Sequence, residues 1–463
     1  MHALRMALQY ELGIDGPTGN FGPGTVAATL TIELVNGPDK YPQGVLKVLE
    51  GAMWCHGYDP GQLFFPSAPT TFNGTLVNEL SRFYMEVGIN TELEASPLTP
   101  HLFKSLLSTD AFNTVWTGGN NNLVATQRRI NRIVINGYKL APDYLGGYIA
   151  TGCQPGRKFS NILIYYLQAL MGPSPSEAGG NLGPATQKSL PVISKIQPGK
   201  EDYNFILAAT LLSNGYPHVI ADGTFNASVV NGVYDFQKEM RLEADGVVGR
   251  ETWLALLVSY GDQDRKPTAA DTRYDITNAR ADYLLERGIK YVGRYLTGGD
   301  FKELREGEAQ RLLAKGIKVF LIQQGTTRDD NDEIGSTEIE YYTTAQAITN
   351  VKEAVESAKR HNFPSGTIIY FAVDCDANEY QIYDVLIPYF NEVSKHLEEY
   401  KLGVYGARHV CNLLTSNTSA IGMFVSNMAS GWSGNLGFPM PKGWTFNQYY
   451  ENKKISAQMV SGI

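Results

Sequence analysis

The chain reads as a multidomain protein in which all-α repeats of three-helix-bundle type precede an α/β domain built as a (β/α) TIM-like barrel. Three observations predict this. The amino-terminal half repeats itself, and its apolar residues recur with the three- and four-residue spacing of amphipathic helices. After residue 271 the pattern changes to short apolar runs alternating with helical stretches, as in a parallel sheet with crossover helices. One of these runs, Thr367–Val373, ends abruptly in Asp374-Cys375-Asp376. Chemistry in such barrels sits at the C-terminal ends of the strands.

Composition sets the outer limits. The chain has 463 residues, of which 43% are hydrophobic and 19% charged, as in ordinary globular proteins. A net charge of -8 argues against nucleic acid as a partner, because phosphate binding needs a basic surface. No run approaches the length of a membrane span, and no charged-then-apolar leader opens the sequence. The 4 cysteines lie far apart, and the 7 histidines show no ligand spacing, so neither a disulfide framework, a metal site nor a cofactor is expected.

The repeats are read residue by residue. Thr71-Phe72-Asn73-Gly74-Thr75-Leu76-Val77-Asn78 parallels Thr224-Phe225-Asn226-Ala227-Ser228-Val229-Val230-Asn231. Beyond them Leu76, Leu80, Phe83 and Val87 match Val229, Val233, Phe236 and Met240. A Gly-rich turn leading into a short helix recurs at Gly19–Thr25, Gly180–Thr186 and Asp245–Thr252, and a helix-ending Gly recurs in His56-Gly57-Tyr58, Asn136-Gly137-Tyr138 and Asn214-Gly215-Tyr216. The resulting divisions are a partial module over 1–43, modules over 44–110, 111–195 (degenerate) and 196–261, a polar linker over 262–271, and the barrel over 272–463. The opening segment lacks a first helix, so a native amino terminus upstream of Met1 is expected.

Val233-x-x-Phe236-Gln237, followed by Leu242-x-x-Asp245-Gly246-x-x-Gly249-x-x-Thr252, resembles the peptidoglycan-binding domain of bacterial wall hydrolases. Leu8-Gln9 with Asp15-Gly16 and Phe21-Gly22-x-x-Thr25 resembles it too. The resemblance implies small three-helix bundles that bind peptidoglycan or another cell-wall polysaccharide.

In the second half the expected strands are Tyr274–Ile276, Ile289–Tyr295, Ile317–Ile322, Thr367–Val373, Leu402–Tyr405, Met423–Val425 and Trp444–Asn447. A closed barrel is the first choice of architecture and a doubly wound sheet the second. This half resembles the glycoside-hydrolase-like domains of unknown function that are relatives of family-25 lysozymes. The likeness is carried by Tyr274-Asp275, Val292-Gly293-Arg294-Tyr295-Leu296, Ile369–Asp374 with Asp376, Gly403–Gly406 and Asn447-Gln448-Tyr449.

Glycosidic cleavage needs a proton donor and a second carboxylate. The resemblance implies Asp376 as general acid, Asp374 as stabiliser of a substrate-assisted intermediate and Asp275 as the residue that orients substrate. Where the related lysozymes have Asp-x-Glu, this chain has Asp374-x-Asp376, whose second carboxylate is one methylene shorter. Close together, the two would raise each other's pKa. The alternative is that either aspartate caps the next helix. Arg294, a charge within an apolar strand, should pair with Asp275 or Asp374. Tyr370, Tyr405, Gln448 and Trp432 are candidates to line a sugar site, as are Gln323 or Gln324, whichever faces inward. Cys375 is expected to be a packed thiol, and the acidic stretch Asp329–Glu333 a solvated lid. Two functions follow. One is a wall-targeted, lysozyme-like glycoside hydrolase, and the other a wall-binding or scaffolding protein without turnover. A barrel acting on a different wall polymer is a third. All place the protein in the cell wall or outside the cell.

Overall fold

The computed structural model describes residues 1–33, 37–61, 69–89, 97–112, 120–137, 148–152, 154–172, 178–194, 199–299, 302–325 and 335–451. Tyr138, Cys153 and the acidic stretch 329–333 lie outside them. The chain divides into two compact units, Met1–Leu190 with Lys195–Gly232, and Pro191–Ser194 with Val233–Ile463. The division falls within helix Ala227–Glu239.

The first unit is helical. The apolar spacing of the repeat becomes the buried face of helix Gly74–Val87, where Leu76, Leu80, Phe83 and Val87 are all fully buried. Asn73 starts this helix by accepting from the Leu76 amide at 2.8 Å, and Gly88 ends it in the left-handed region at φ 89°. The packing crosses the boundaries expected from sequence. Helix Gln43–Cys55 packs on His2–Glu11, which belongs to the preceding repeat, and helix Arg157–Met171 packs on Glu201–Ser213 in the same way. An antiparallel bridge between Ile32 and Leu98 ties the first two copies together, and its counterpart in the second unit joins Ile193 to Val248. Neighbouring copies therefore interleave through these contacts.

One side chain holds each Gly-rich turn. Gln9 accepts from the Thr18 and Gly19 amides and donates to Asn20 O and Thr25 Oγ1. Gln168 does the same for Gly179, Gly180, Asn181 and Thr186, and Gln237 for Gly246, Val247 and Thr252. The repeated Gln and Thr are thus architectural. They satisfy turn amides that would otherwise be buried without partners.

The second unit contains a seven-stranded parallel sheet in sequential order: β1 Ala269–Asp271, β2 Tyr291–Tyr295, β3 Lys318–Gln323, β4 Ile368–Ala372, β5 Lys401–Gly406, β6 Gly422–Val425 and β7 Phe446–Asn447. A doubly wound sheet would reverse order at a switch point, so the sequential order selects the barrel. The sheet curls far enough for Phe446 of β7 to stack on Phe320 of β3, with ring centroids 4.0 Å apart. Phe320, Ile322, Tyr370 and Phe424 fill the interior with Tyr295, Tyr405 and Phe446. Val292 and Ala270 point the other way, into the layer formed with Ala281, Leu284 and Leu312 of the helices. Gly293 and Gly403 make room for the interior aromatics: a Cβ on Gly293 would come within 2.6 Å of Phe320, and one on Gly403 within 2.7 Å of Tyr370. Among the described residues the first and last strands, β1 and β7, do not pair, which leaves a seam between them.

Two expectations need correction here. The first strand is Ala269–Asp271, not Tyr274–Ile276, because the chain pairs with β2 through Ala270 and Val292 before it turns. The segment 262–271 is also no free linker. Asp262 and Asp264 both pair with Arg250, and the segment ends in β1.

Candidate active site at the mouth of the barrel

The C-terminal ends of the strands converge on one polar cluster. Asp374 lies two residues beyond β4 with the inward parity of Tyr370 and Ala372. Its Oδ2 accepts from Gln324 Nε2 at 2.6 Å, and Gln324 Oε1 accepts from Lys302 Nζ at 2.5 Å. Gln324 thus faces inward, continuing the parity of Phe320 and Ile322, and Gln323 takes the other side. The Asp374 amide donates to Tyr342 Oη at 3.1 Å, which anchors the turn.

Opposite stands Asp271, the last residue of β1. It accepts from Gln448 Nε2 at 3.1 Å and, more weakly, from Tyr295 Oη at 3.4 Å. Gln448 in turn accepts from Tyr405 Oη at 2.8 Å. The Lys302 ammonium sits 4.3 Å above the Tyr295 ring. Asp271, Tyr295, Gln324, Asp374, Tyr405 and Gln448 come from or just beyond six different strands, the arrangement in which a barrel scaffold fixes a site.

Burial dominates the electrostatics. It lifts both Asp374 and Asp271 to about 6, because an ionised carboxylate loses hydration there. Lys302 and the Gln324 amide pull Asp374 back down, and Gln448 and Tyr295 do so for Asp271. Burial likewise presses Lys302 to about 8. The phenols of Tyr295 and Tyr405 stand well above their ordinary range, through burial first and then through the two aspartates.

Three expected site residues lie elsewhere. Asp275 is half exposed and pairs with Arg280 at 3.0 Å, so the first-strand carboxylate at the mouth is Asp271. Arg294 is fully buried on the outer side of β2. It pairs with Glu308 at 2.8 Å and donates to the carbonyls of Thr272, Lys302 and Glu303. Strand alternation explains this, since Val292 and Arg294 share one face while Gly293 and Tyr295 share the other. Tyr370 is buried in the barrel interior with its ring against Phe320 and Phe424, below the mouth.

Asp376 is exposed and clamped to a loop. Its carboxylate accepts from the Ser433 amide at 2.9 and 3.0 Å and from the Ser433 hydroxyl at 2.8 Å. The rise of Asp374 therefore comes chiefly from burial and not from a paired Asp376. Trp432, next to Ser433, is partly exposed on the same loop. Tyr405 and Gln448 are joined to each other and, through Gln448, to Asp271 at the mouth. Cys375 is buried, with its thiol pushed up to about 12, as suits a packed side chain. Among the described residues no group of three or more His, Cys, Asp or Glu is arranged to hold a metal ion. Asp271, Tyr295 and Lys302 escaped the sequence reading. The inward parity of Tyr295 relative to Arg294 was the one available signal.

Comparison with known proteins follows the same division. Residues 282–461 match the family described as Rv2525c-like, glycoside hydrolase-like domain, and residues 206–256 match the putative peptidoglycan binding domain. The first match contains Lys302, Gln324, Asp374, Tyr405 and Gln448, and begins after Asp271. The uncharacterized protein FadG of Bacillus subtilis (strain 168) is 33% identical over 459 residues, spanning 97% of this chain and 75% of FadG. The uncharacterized protein YbfG of the same organism is 35% identical over 487 positions, spanning all of this chain but only 62% of YbfG. The chain belongs to the family of these proteins, with a glycoside-hydrolase-like barrel preceded by a peptidoglycan-binding domain. Among solved structures, the Tat-secreted protein Rv2525c of Mycobacterium tuberculosis is similar at 19% identity, over 41% of this chain and 91% of that one, with a TM-score of 0.33. No helix among the described residues is long and apolar enough to cross a membrane.

Proposed function

We propose that the barrel is a cell-wall glycosidase that hydrolyses the glycan strands of peptidoglycan, with Asp374 and Asp271 as its working carboxylates. The main support is the pair itself. One carboxyl group from the first strand and one from just beyond the fourth lie at the mouth, both lifted to about 6 and both acting on the phenols of Tyr295 and Tyr405. Hydrolysis needs one carboxyl protonated and one ionised at the same pH. Lys302, acting through Gln324, favours the ionised form of Asp374. Asp271 is bonded only to neutral groups, so it is the better holder of the proton. In this reading Asp271 gives its proton to the glycosidic oxygen as the bond to the anomeric carbon breaks. Asp374 stabilises the positive charge that develops on the ring. Water then adds to the anomeric carbon and returns its proton to the carboxylate. The place of action is the cell wall or the space outside the cell.

The test is release of reducing ends from purified wall by the full chain. Asp271→Asn and Asp374→Asn are each expected to lose at least ~100-fold. Undiminished release by either variant removes that residue from the mechanism. A second reading, glycan binding without turnover, is favoured by Asp376. Where the family resemblance puts the proton donor, this carboxylate is held by Ser433. That reading expects the protein to sediment with insoluble wall while no new reducing ends appear.

A further inference from the structure

At the other end of the strands the second unit contains a cleft of about 790 Å³, in the size range of ligand pockets and placed, as such pockets often are, where two structural elements meet. One wall is the end of the last helical repeat, including Arg241, Glu243 and Glu251. The other comprises Arg265, Lys266, Tyr291 and Trp444 beside the starts of β1, β2 and β7, with Tyr449 two residues past the end of β7. The two walls are fastened together. Trp444 Nε1 donates to Glu239 O at 2.8 Å, and the Arg241 guanidinium lies 3.8 Å over the Trp444 ring while donating to Trp444 O.

Two features point to a ligand. The first is the cation Arg265. Its Nε is buried without a hydrogen-bond partner, and Nη2 makes a long 3.4 Å approach to Tyr260 O. It stacks 3.7 Å over Tyr449 and, like the exposed Lys266, forms no ion pair among the described residues. This guanidinium, partly buried with its Nε unpaired, is supported by the Tyr449 hydroxyl and, at longer range, by Asp262 and Glu251, and an acceptor arriving from the cleft supplies the direct charged bond it lacks. The second is Tyr291, a surface-exposed ring at the head of β2 that lines the same cleft. A flat ring beside cations is the pairing that recognises a sugar carrying an acidic group: the ring stacks against the sugar's apolar face, and the cations take the anion. Glu243 and Glu251 lie on the helical wall, and Glu251 already acts on Arg265, so the exposed Lys266 is the cation most open to an acidic group.

We propose that this cleft is a second saccharide site that takes an amino-sugar strand bearing carboxylates, with the carboxylate on Arg265 and Lys266 and a sugar ring against Tyr291. The site rests on the wall-glycan reading above for the identity of its polymer, and it is separate from the mouth. It gives the helical repeat and the barrel a shared hold on one strand.

The experiment is calorimetric titration of the full chain with two soluble probes, neutral chitotetraose and a tetrasaccharide of the same length carrying lactyl carboxylates. The wild type is expected to bind the acidic probe more tightly. Arg265→Met with Lys266→Met should weaken the acidic probe about tenfold or more while shifting the neutral one little. Tyr291→Ala should weaken both. Lys266→Glu, a change at an exposed position that the fold tolerates, should also weaken the acidic probe and so guards against misfolding of the double variant. Unchanged affinity for the acidic probe in the double variant and in Lys266→Glu overturns the proposal, as does equal affinity of the wild type for the two probes. Loss of acidic-probe binding in these variants with reducing-end release unchanged supports this site and leaves the mouth assignment intact. Absence of reducing-end release from the wild type, with the cleft still discriminating, sinks the hydrolase reading alone.

Discussion

At the scale of single residues, Lys302 decides how the two carboxylates at the mouth divide their roles in the proposed hydrolysis. Its ammonium reaches Asp374 through Gln324, and both favour the ionised form. With both aspartates at about 6, hydrolysis should peak near pH 6. It should fall at lower pH as Asp374 takes up a proton and at higher pH as Asp271 gives its own away, the apparent values belonging to the pair. Lys302→Met removes the cation, so the Asp374 pKa rises and the acid limb of the profile moves up, narrowing the bell; a pH–rate series or carboxyl NMR titration reads this directly. Asp271 carries a second expectation. Its folded pKa of about 6 lies above the unfolded value near 3.9, so its contribution to stability is full below about pH 4 and is lost as pH rises through 6. The loss approaches ~3 kcal/mol above that window. Asp271→Asn should therefore raise the melting temperature by several degrees at pH 8 and change it little at pH 4. Thermal denaturation at the two pH values checks the sign. Arg294 was legible from sequence as a charge in need of a partner, but that partner, Glu308, sits in the following helix and not among the acids of the mouth. Its role is to hold chain segments together around a buried ion pair. Arg294→Met should cost about 3–5 kcal/mol by stranding Glu308, as measured by denaturant unfolding.

At the scale of elements, strands β2 to β6 were legible because each is an apolar run closed by a turn or a polar residue, and their parallel order followed from the intervening helices. The first strand was not. Ala269-Ala270-Asp271 is too short and too weakly apolar to stand out, and the polar stretch before it reads as linker. Only the ladder with β2 reveals it, and with it Asp271. The helical repeats were legible at the level of the single helix, through the buried spacing of Leu76, Leu80, Phe83 and Val87. Their interleaved packing was not, because periodicity says which face is buried and not against what. The barrel interior makes one further demand. Gly403 faces Tyr370 so closely that a methyl group would meet the ring at 2.7 Å. Gly403→Ala should destabilise by about 1–3 kcal/mol through overpacking, seen as a lower melting temperature.

At the scale of the second unit, the helical residues 233–261 and the barrel behave as one piece. Arg408, fully buried, donates to Asn427 Oδ1 at 2.6 Å and to Ser259 O at 3.2 Å, while the Ser259 hydroxyl donates to Asn427 O at 2.6 Å. Position 259 thus completes a polar network that belongs to the barrel. A chain starting at residue 262 lacks these partners and should melt well below the full chain by calorimetry; an unchanged transition would show the repeat to be dispensable for the barrel's stability. The seam between β1 and β7 has a consequence in time as well as in space. The end of β1 and the residue just beyond β7 must meet before Asp271 is held by Gln448, and β7 is synthesised after the other six strands. During vectorial synthesis the helical repeats can fold well before that point. The helical repeats can therefore be in place before the mouth is complete, and the finished site serves as a mark that translation has run past residue 448.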